Sequence, residues 1–144
     1  MKEKNFQTLL GQYLVSHPPA SAESYELKLS KGPSIRIDAV KPHQIAGLRG
    51  STAGLYHRIY DQPWLAKGFQ PEKPFDCMWL KGMRGYVLIM FYKPRKEKLF
   101  YKIPVNIWVN ETIKVAKKSV REEEIKSWPS VEIVSLHRQN IIKS

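Results

Sequence analysis

The chain has 144 residues, enough for one domain with its own core, and 24 Lys and Arg against 13 Asp and Glu give a formal charge of +11 and a pI near 9.8. That balance suits phosphate backbones or anionic membrane surfaces, but no apolar run approaches ~18 residues and Met1-Lys2-Glu3-Lys4 leads into a mixed polar helix rather than a signal segment, which argues against the membrane. A single cysteine, Cys77, excludes an internal disulfide and a cysteine zinc cluster, and suits a reducing cytosol.

In chain order, residues 5–15 place Phe6, Leu9, Leu10, Tyr13 and Leu14 at the spacing of an amphipathic helix, which His17-Pro18-Pro19 ends. Tyr25-Glu26-Leu27-Lys28-Leu29 alternates as a strand, with its apolar residues on one face and a carboxylate beside an ammonium on the other. Cleavage of a phosphodiester needs a hard oxygen ligand for a divalent cation and a positive group near the attacked phosphate, and a Glu-x-Lys strand supplies both. Residues 34–40 alternate again after a turn at 30–33, so the two runs are expected to form a hairpin. Pro42 suits a first helical turn, and residues 43–48 predict a short helix stopped near Gly50. A strand is expected over 55–60.

Residues 61–74 read as a long loop punctuated by Pro63, Gly68, Pro71 and Pro74, and loops of that length are often functional. Residues 75–80 predict a strand and 81–85 a turn. The continuous apolar run 86–91 is expected at the centre of a sheet. A basic tip at 93–98 leads into a strand over 99–103. Ser119 and Glu122 have capping-box spacing, which predicts a helix over 120–127, and 131–136 completes the set as a strand. The sum is a single α/β domain, residues 1–144, with a central sheet flanked by helices.

Tyr25-Glu26-Leu27-Lys28, the His43-Gln44 helix, the run 85–91, the strand 99–104 and Lys118-Ser119-Val120 together resemble the order of landmarks in RecU-type Holliday junction resolvases. These belong with archaeal Hjc resolvases to the PD-(D/E)xK nuclease superfamily. The resemblance covers roughly residues 20–125 and looks most like the resolvases carried by bacteriophages. It implies a restriction-endonuclease-like core with a central mixed β-sheet, a Mg²⁺-dependent endonuclease (Mn²⁺ substituting) that cuts four-way branched DNA, a homodimer, and the cytoplasm of a bacterial host. Gln44 resembles the glutamine that follows histidine in the RecU-type helix and is expected to orient a water or a phosphate.

The superfamily places an acid upstream of the E-x-K strand, yet no Asp precedes Glu26 here. Lys73-Pro74-Phe75-Asp76 offers a Pro-x-Asp instead, and a hairpin over 75–91 is expected to carry Asp76 to Glu26. Glu26, Asp76 and the Leu27 carbonyl then become the metal ligands, Asp61 a third acid, and Lys28 the group that stabilises charge or orients water. His43 is expected to make a polar contact at the helix start. Arg49, Lys67, Lys73, Lys81, Arg84, Lys117 and Lys118 are the candidate phosphate contacts, Trp64 and Phe69 candidate stacking residues, and Trp79 and Trp108 core residues on strands. The reading from a different class is a non-catalytic basic module that binds nucleic acid on the same fold.

Overall fold

The computed structural model describes residues 1–60 and 73–136. The chain order is α1 (Glu3–Ser16), β1 (Glu23–Ser30), β2 (Ser34–Arg36), a 3₁₀ turn (Ile37–Ala39), α2 (Pro42–Ala53), β3 (Leu55–Arg58), β4 (Cys77–Leu80), β5 (Arg84–Phe91), β6 (Leu99–Pro104), α3 (Val105–Ile113), β7 (Ser119–Arg121), α4 (Glu122–Lys126) and β8 (Glu132–Ser135). It is an α/β fold whose central mixed sheet runs β1-β5-β6-β8, with helices flanking it.

β5 lies inside that sheet, as its apolar run requires. It pairs in parallel with β1, from Glu23 opposite Arg84 to Ser30 opposite Phe91, and antiparallel with β6. A strand covered on both faces buries successive residues, and Val87 through Met90 are wholly inaccessible. Val87, Ile89 and Phe91 join Leu48 of α2, Trp108 of α3, and Ile35 and Val120 in one cluster. Leu88 and Met90 join Phe6 and Leu10 of α1, with Tyr25, Leu27 and Leu29 packed alongside. Alternation along β1 therefore assigns its odd-numbered residues to the α1 side and turns Ser24, Glu26 and Lys28 to the α2 side.

α2 rests very close to β5. A side chain at Gly85 would place its first carbon 2.8 Å from the Leu48 carbonyl oxygen, so only glycine fits. Pro42 opens α2 as expected, but the helix passes Gly50 and stops at Gly54, whose φ of 136° suits glycine alone.

Four expectations from the sequence fail here. β1 and β2 do not form a hairpin: β1 pairs with β5, and β2 pairs antiparallel with β7. Two alternating runs specify faces and leave the partner open, and the long apolar run of β5 provides the better covered neighbour. The strand expected over 34–40 ends at Arg36 and turns into the 3₁₀ segment. Ser119 sits in β7 and does not cap α4, which starts only at Glu122; the Glu122 amide donates to the Pro33 carbonyl and its side chain is taken by Tyr101 and Lys93. Finally, β4 pairs with β3 in a separate two-stranded ribbon, so no hairpin over 75–91 exists.

Candidate functional site on the first strand

Glu26 and Lys28 stand on the face of β1 opposite its packed leucines. Lys28 Nζ lies 3.3 Å from Glu26 Oε1, with the side chains 13% and 27% exposed respectively. Their cross-strand partners on β5 are Ile89 and Val87, both fully buried. The charge pair thus lies beside an apolar face, where water screens it less than at an open surface. β1 is also an outer strand of the four-stranded sheet, so among the described residues one flank of this pair carries no neighbouring strand. Leu27, between them, packs on the α1 side.

The end of α2 is fixed to this strand by a serine pair. Ser51, 1% exposed, donates its hydroxyl to the Leu48 carbonyl and shares a 2.8 Å hydrogen bond with Ser24 of β1. The same end holds the entry to β5: Gly82 N donates to Thr52 O, Met83 N donates to Ser51 O, and Thr52 Oγ1 donates to the Met83 carbonyl. Gln44, expected to orient water or phosphate, accepts a 2.8 Å hydrogen bond from the Lys41 amide and so caps α2. His43 is exposed in the first turn of the same helix.

Asp76 immediately precedes β4 on the ribbon, not on the central sheet. Its side chain is 88% exposed and lies 3.3 Å from Lys73 Nζ, while its carbonyl accepts from the Ile59 amide. The hairpin that was to carry it to Glu26 is replaced by the β3–β4 pairing, in which Cys77 faces Arg58. Asp61, Trp64, Lys67 and Phe69 lie outside the described residues. Among the described residues no three His, Cys, Asp or Glu side chains are grouped to hold a metal ion. The carboxylate of Glu26 and the Leu27 carbonyl are hard oxygen donors of the kind Mg²⁺ takes, and Mg²⁺ commonly binds through one or two carboxylates with water and substrate phosphate completing its shell.

The candidate phosphate contacts divide by surroundings. Lys81 and Arg84 are exposed on either side of the turn into β5, and Lys73 is exposed beside Asp76. Arg49 Nε donates to Asn106 Oδ1 at 3.1 Å and so ties α2 to α3. Lys117 and Lys118 are exposed on the rim of a groove of about 750 Å³ with Arg36 and Lys41, over a floor that includes Ile37, Ile45 and Val109. Trp108 is core, though on helix α3 rather than a strand; Trp79 is 66% exposed and is not core.

Two polar clusters escaped the sequence reading. Glu23, its side chain 8% exposed, accepts from Tyr25 Oη at 2.6 Å and from Lys102 Nζ at 2.7 Å, and Lys102 also sits 4.5 Å from the Tyr86 ring centre. Burial, then the hydrogen bond to Glu23, raises the Tyr25 hydroxyl pKa. This cluster borders a cavity of about 80 Å³ on the α1 side, with Glu132 at its wall, so Glu23 cannot serve Glu26 across the sheet. The second cluster joins Glu122 to Tyr101 at 2.6 Å and Lys93 at 2.9 Å. Burial alone would raise the Glu122 carboxyl, but those two hydrogen bonds outweigh it and hold the group below its usual range. A lysine or tyrosine between apolar residues in β6 was the available signal for both.

Among the described residues no helix is long and apolar enough to cross a membrane. Comparison with protein-family models, with curated proteins and with solved structures finds no match to this chain.

Proposed function

We propose that this protein is a Mg²⁺-dependent DNA endonuclease selective for branched substrates, of the Holliday junction resolvase kind, with Glu26 and Lys28 at its centre. The observation that carries the reading is the carboxylate–ammonium pair, 3.3 Å apart and largely shielded, on an outer strand whose other face is committed to the core. A net charge of +11 supplies the attraction to a polyanion.

Glu26 and the Leu27 carbonyl would hold the cation, Mg²⁺ or Mn²⁺, and Asp76 is the proposed second carboxylate. The Gly82 and Met83 amides that anchor the ribbon to the end of α2 follow β4, whereas Asp76 precedes it, so the pairing of Asp76 with Glu26 belongs to the proposal alone. When bound, the cation supplies acidified water and offsets phosphate charge. Lys28, its side chain 13% exposed, adds a positive charge beside that position. Lys73, Lys81 and Arg84 position phosphates without reading bases. By the resemblance to RecU-type resolvases, the enzyme acts as a homodimer in a bacterial host cytoplasm during recombination, as phage resolvases do.

A second reading is a non-catalytic nucleic-acid-binding module. It draws on Asp76 lying against Lys73 and on the absence, among the described residues, of three grouped metal-ligating side chains. Incubating the purified protein with labelled four-way junction or linear duplex, in Mg²⁺, Mn²⁺ or EDTA, separates the two. The enzyme reading expects metal-dependent cutting of the junction in preference to the duplex, and binding without cutting in every metal would overturn it.

A further inference from the structure

Four of the large apolar side chains exposed among the described residues are aromatic, and all four belong to the β3–β4 ribbon or its immediate flanks: Tyr56 (62%), Tyr60 (70%), Phe75 (49%) and Trp79 (66%). The register puts two of them, Tyr56 and Trp79, on one side. Tyr56 is directly opposite Trp79 and Arg58 directly opposite Cys77, so these four share one face of the ribbon. The reverse face holds Leu55, Met78 and Leu80, which are partly buried. Tyr60 extends the outer face beyond β3, with the Arg58 guanidinium 5.3 Å from its ring centre.

The indole of Trp79 has a built support. A side-chain carbon at Gly54 would lie 3.1 Å from Trp79 Cζ2, so the ring rests against bare backbone at a glycine whose φ of 136° excludes other residues. The indole is held at that edge while the residue stays 66% exposed. Among the described residues, the cations on and beside the ribbon are Arg58, Lys73, Lys81 and Arg84, against the carboxylate of Asp76.

We propose that this face binds unpaired single-stranded nucleic acid, its bases stacking on Trp79, Tyr56 and Tyr60 while Arg58, Lys81 and Arg84 hold the phosphates. Every base has a π-face, and exposed aromatic rings interleaved with cations are what a single strand requires. A paired duplex buries those base faces and offers the ribbon only its backbone. The cluster would also suit a protein interface, in which Tyr, Trp and Arg are enriched, but charged lysines are depleted there, and the surplus of positive charge favours a polyanion. This inference needs neither the cation nor Glu26 and goes beyond the cleavage reading.

The test is fluorescence anisotropy of a labelled twenty-residue oligothymidylate with the full chain in EDTA, beside a duplex of the same length. Single strand is expected to bind more tightly than duplex. Trp79→Ala is expected to weaken it about tenfold, Trp79→Phe to restore most of that, and Arg58→Ala to flatten the salt dependence. Both aromatic side chains are exposed, so circular dichroism of Trp79→Ala and Tyr56→Ala is expected to match the parent. Equal affinity for duplex, or unchanged affinity in the Trp79→Ala, Tyr56→Ala double variant, would overturn the proposal. So would a sedimentation result in which that double variant converts a dimer to a monomer while single-strand binding persists. Since no cutting is measured, its failure leaves the endonuclease reading to its own experiment.

Discussion

The Tyr101 hydroxyl donates to Glu122 Oε2 across 2.6 Å, joining a wholly buried residue of β6 to the first residue of α4. Lys93, itself mostly exposed and two residues beyond the end of β5, takes the other carboxylate oxygen, so one carboxylate holds β6, α4 and the segment after β5 together.

Because the Glu122 carboxyl titrates below its ordinary range when folded, its contribution to stability is fully present above the unfolded value, about 4.3, and is lost as pH falls through the folded value. Melting temperature followed by circular dichroism is therefore expected to be flat from pH 7 to 5 and to fall more acid than that. Glu122→Ala, which leaves the Tyr101 hydroxyl buried without an acceptor, should cost about 2 kcal/mol, or roughly 6 °C. An acid limb unchanged in Glu122→Gln would refute the assignment.

Gly85→Ala tests the approach of α2 to β5. The added carbon would meet the Leu48 carbonyl oxygen at 2.8 Å, and the helix must shift to relieve it. A loss of roughly 2 kcal/mol is expected in urea unfolding. The neighbouring helix glycine, Gly47, has open space at the same position, so Gly47→Ala should be neutral or stabilising.

Glu26→Gln keeps the shape of the side chain and removes its charge. Cleavage of four-way junctions is expected to vanish while junction affinity, measured by gel shift in EDTA, stays the same or rises. Asp76→Asn should also lower cleavage with Glu26 intact. Full retention would remove Asp76 from the site and leave Glu26 with substrate oxygens alone.

Lys28→Ala removes the ammonium 3.3 Å from Glu26. The cutting rate is expected to drop on the order of a hundredfold with little change in affinity, as for the loss of one charge-stabilising group. Single-turnover kinetics distinguish this from weakened binding, and an unchanged rate would make the lysine structural.

The sequence made the local faces legible. The alternation Tyr25 to Leu29 correctly assigned Glu26 and Lys28 to one side, and the run 86–91 correctly placed β5 inside a sheet. It did not disclose partners between distant strands, since β1 and β2 alternate equally well and nothing in either names β5 or β7. Helix α3 was missed because Val105, Ile107, Trp108 and Val109 are residues that favour strands, and tertiary packing overrides that preference. Pro104, immediately before it, was the neglected start signal. Trp79 misled for the opposite reason: in the two-stranded ribbon, no described element packs over the face that carries it.

The parallel ladder between β1 and β5 has a consequence for synthesis. Glu26 faces Val87, sixty-one positions later, so β1 leaves the ribosome long before its partner exists. A nascent chain must keep the leucines of β1 from aggregating until β5 emerges, and loop closure of that length makes docking slow. The Glu26–Lys28 surface is therefore completed late, and a truncated translation product ending before Arg84 carries the two residues without the platform that sets them side by side.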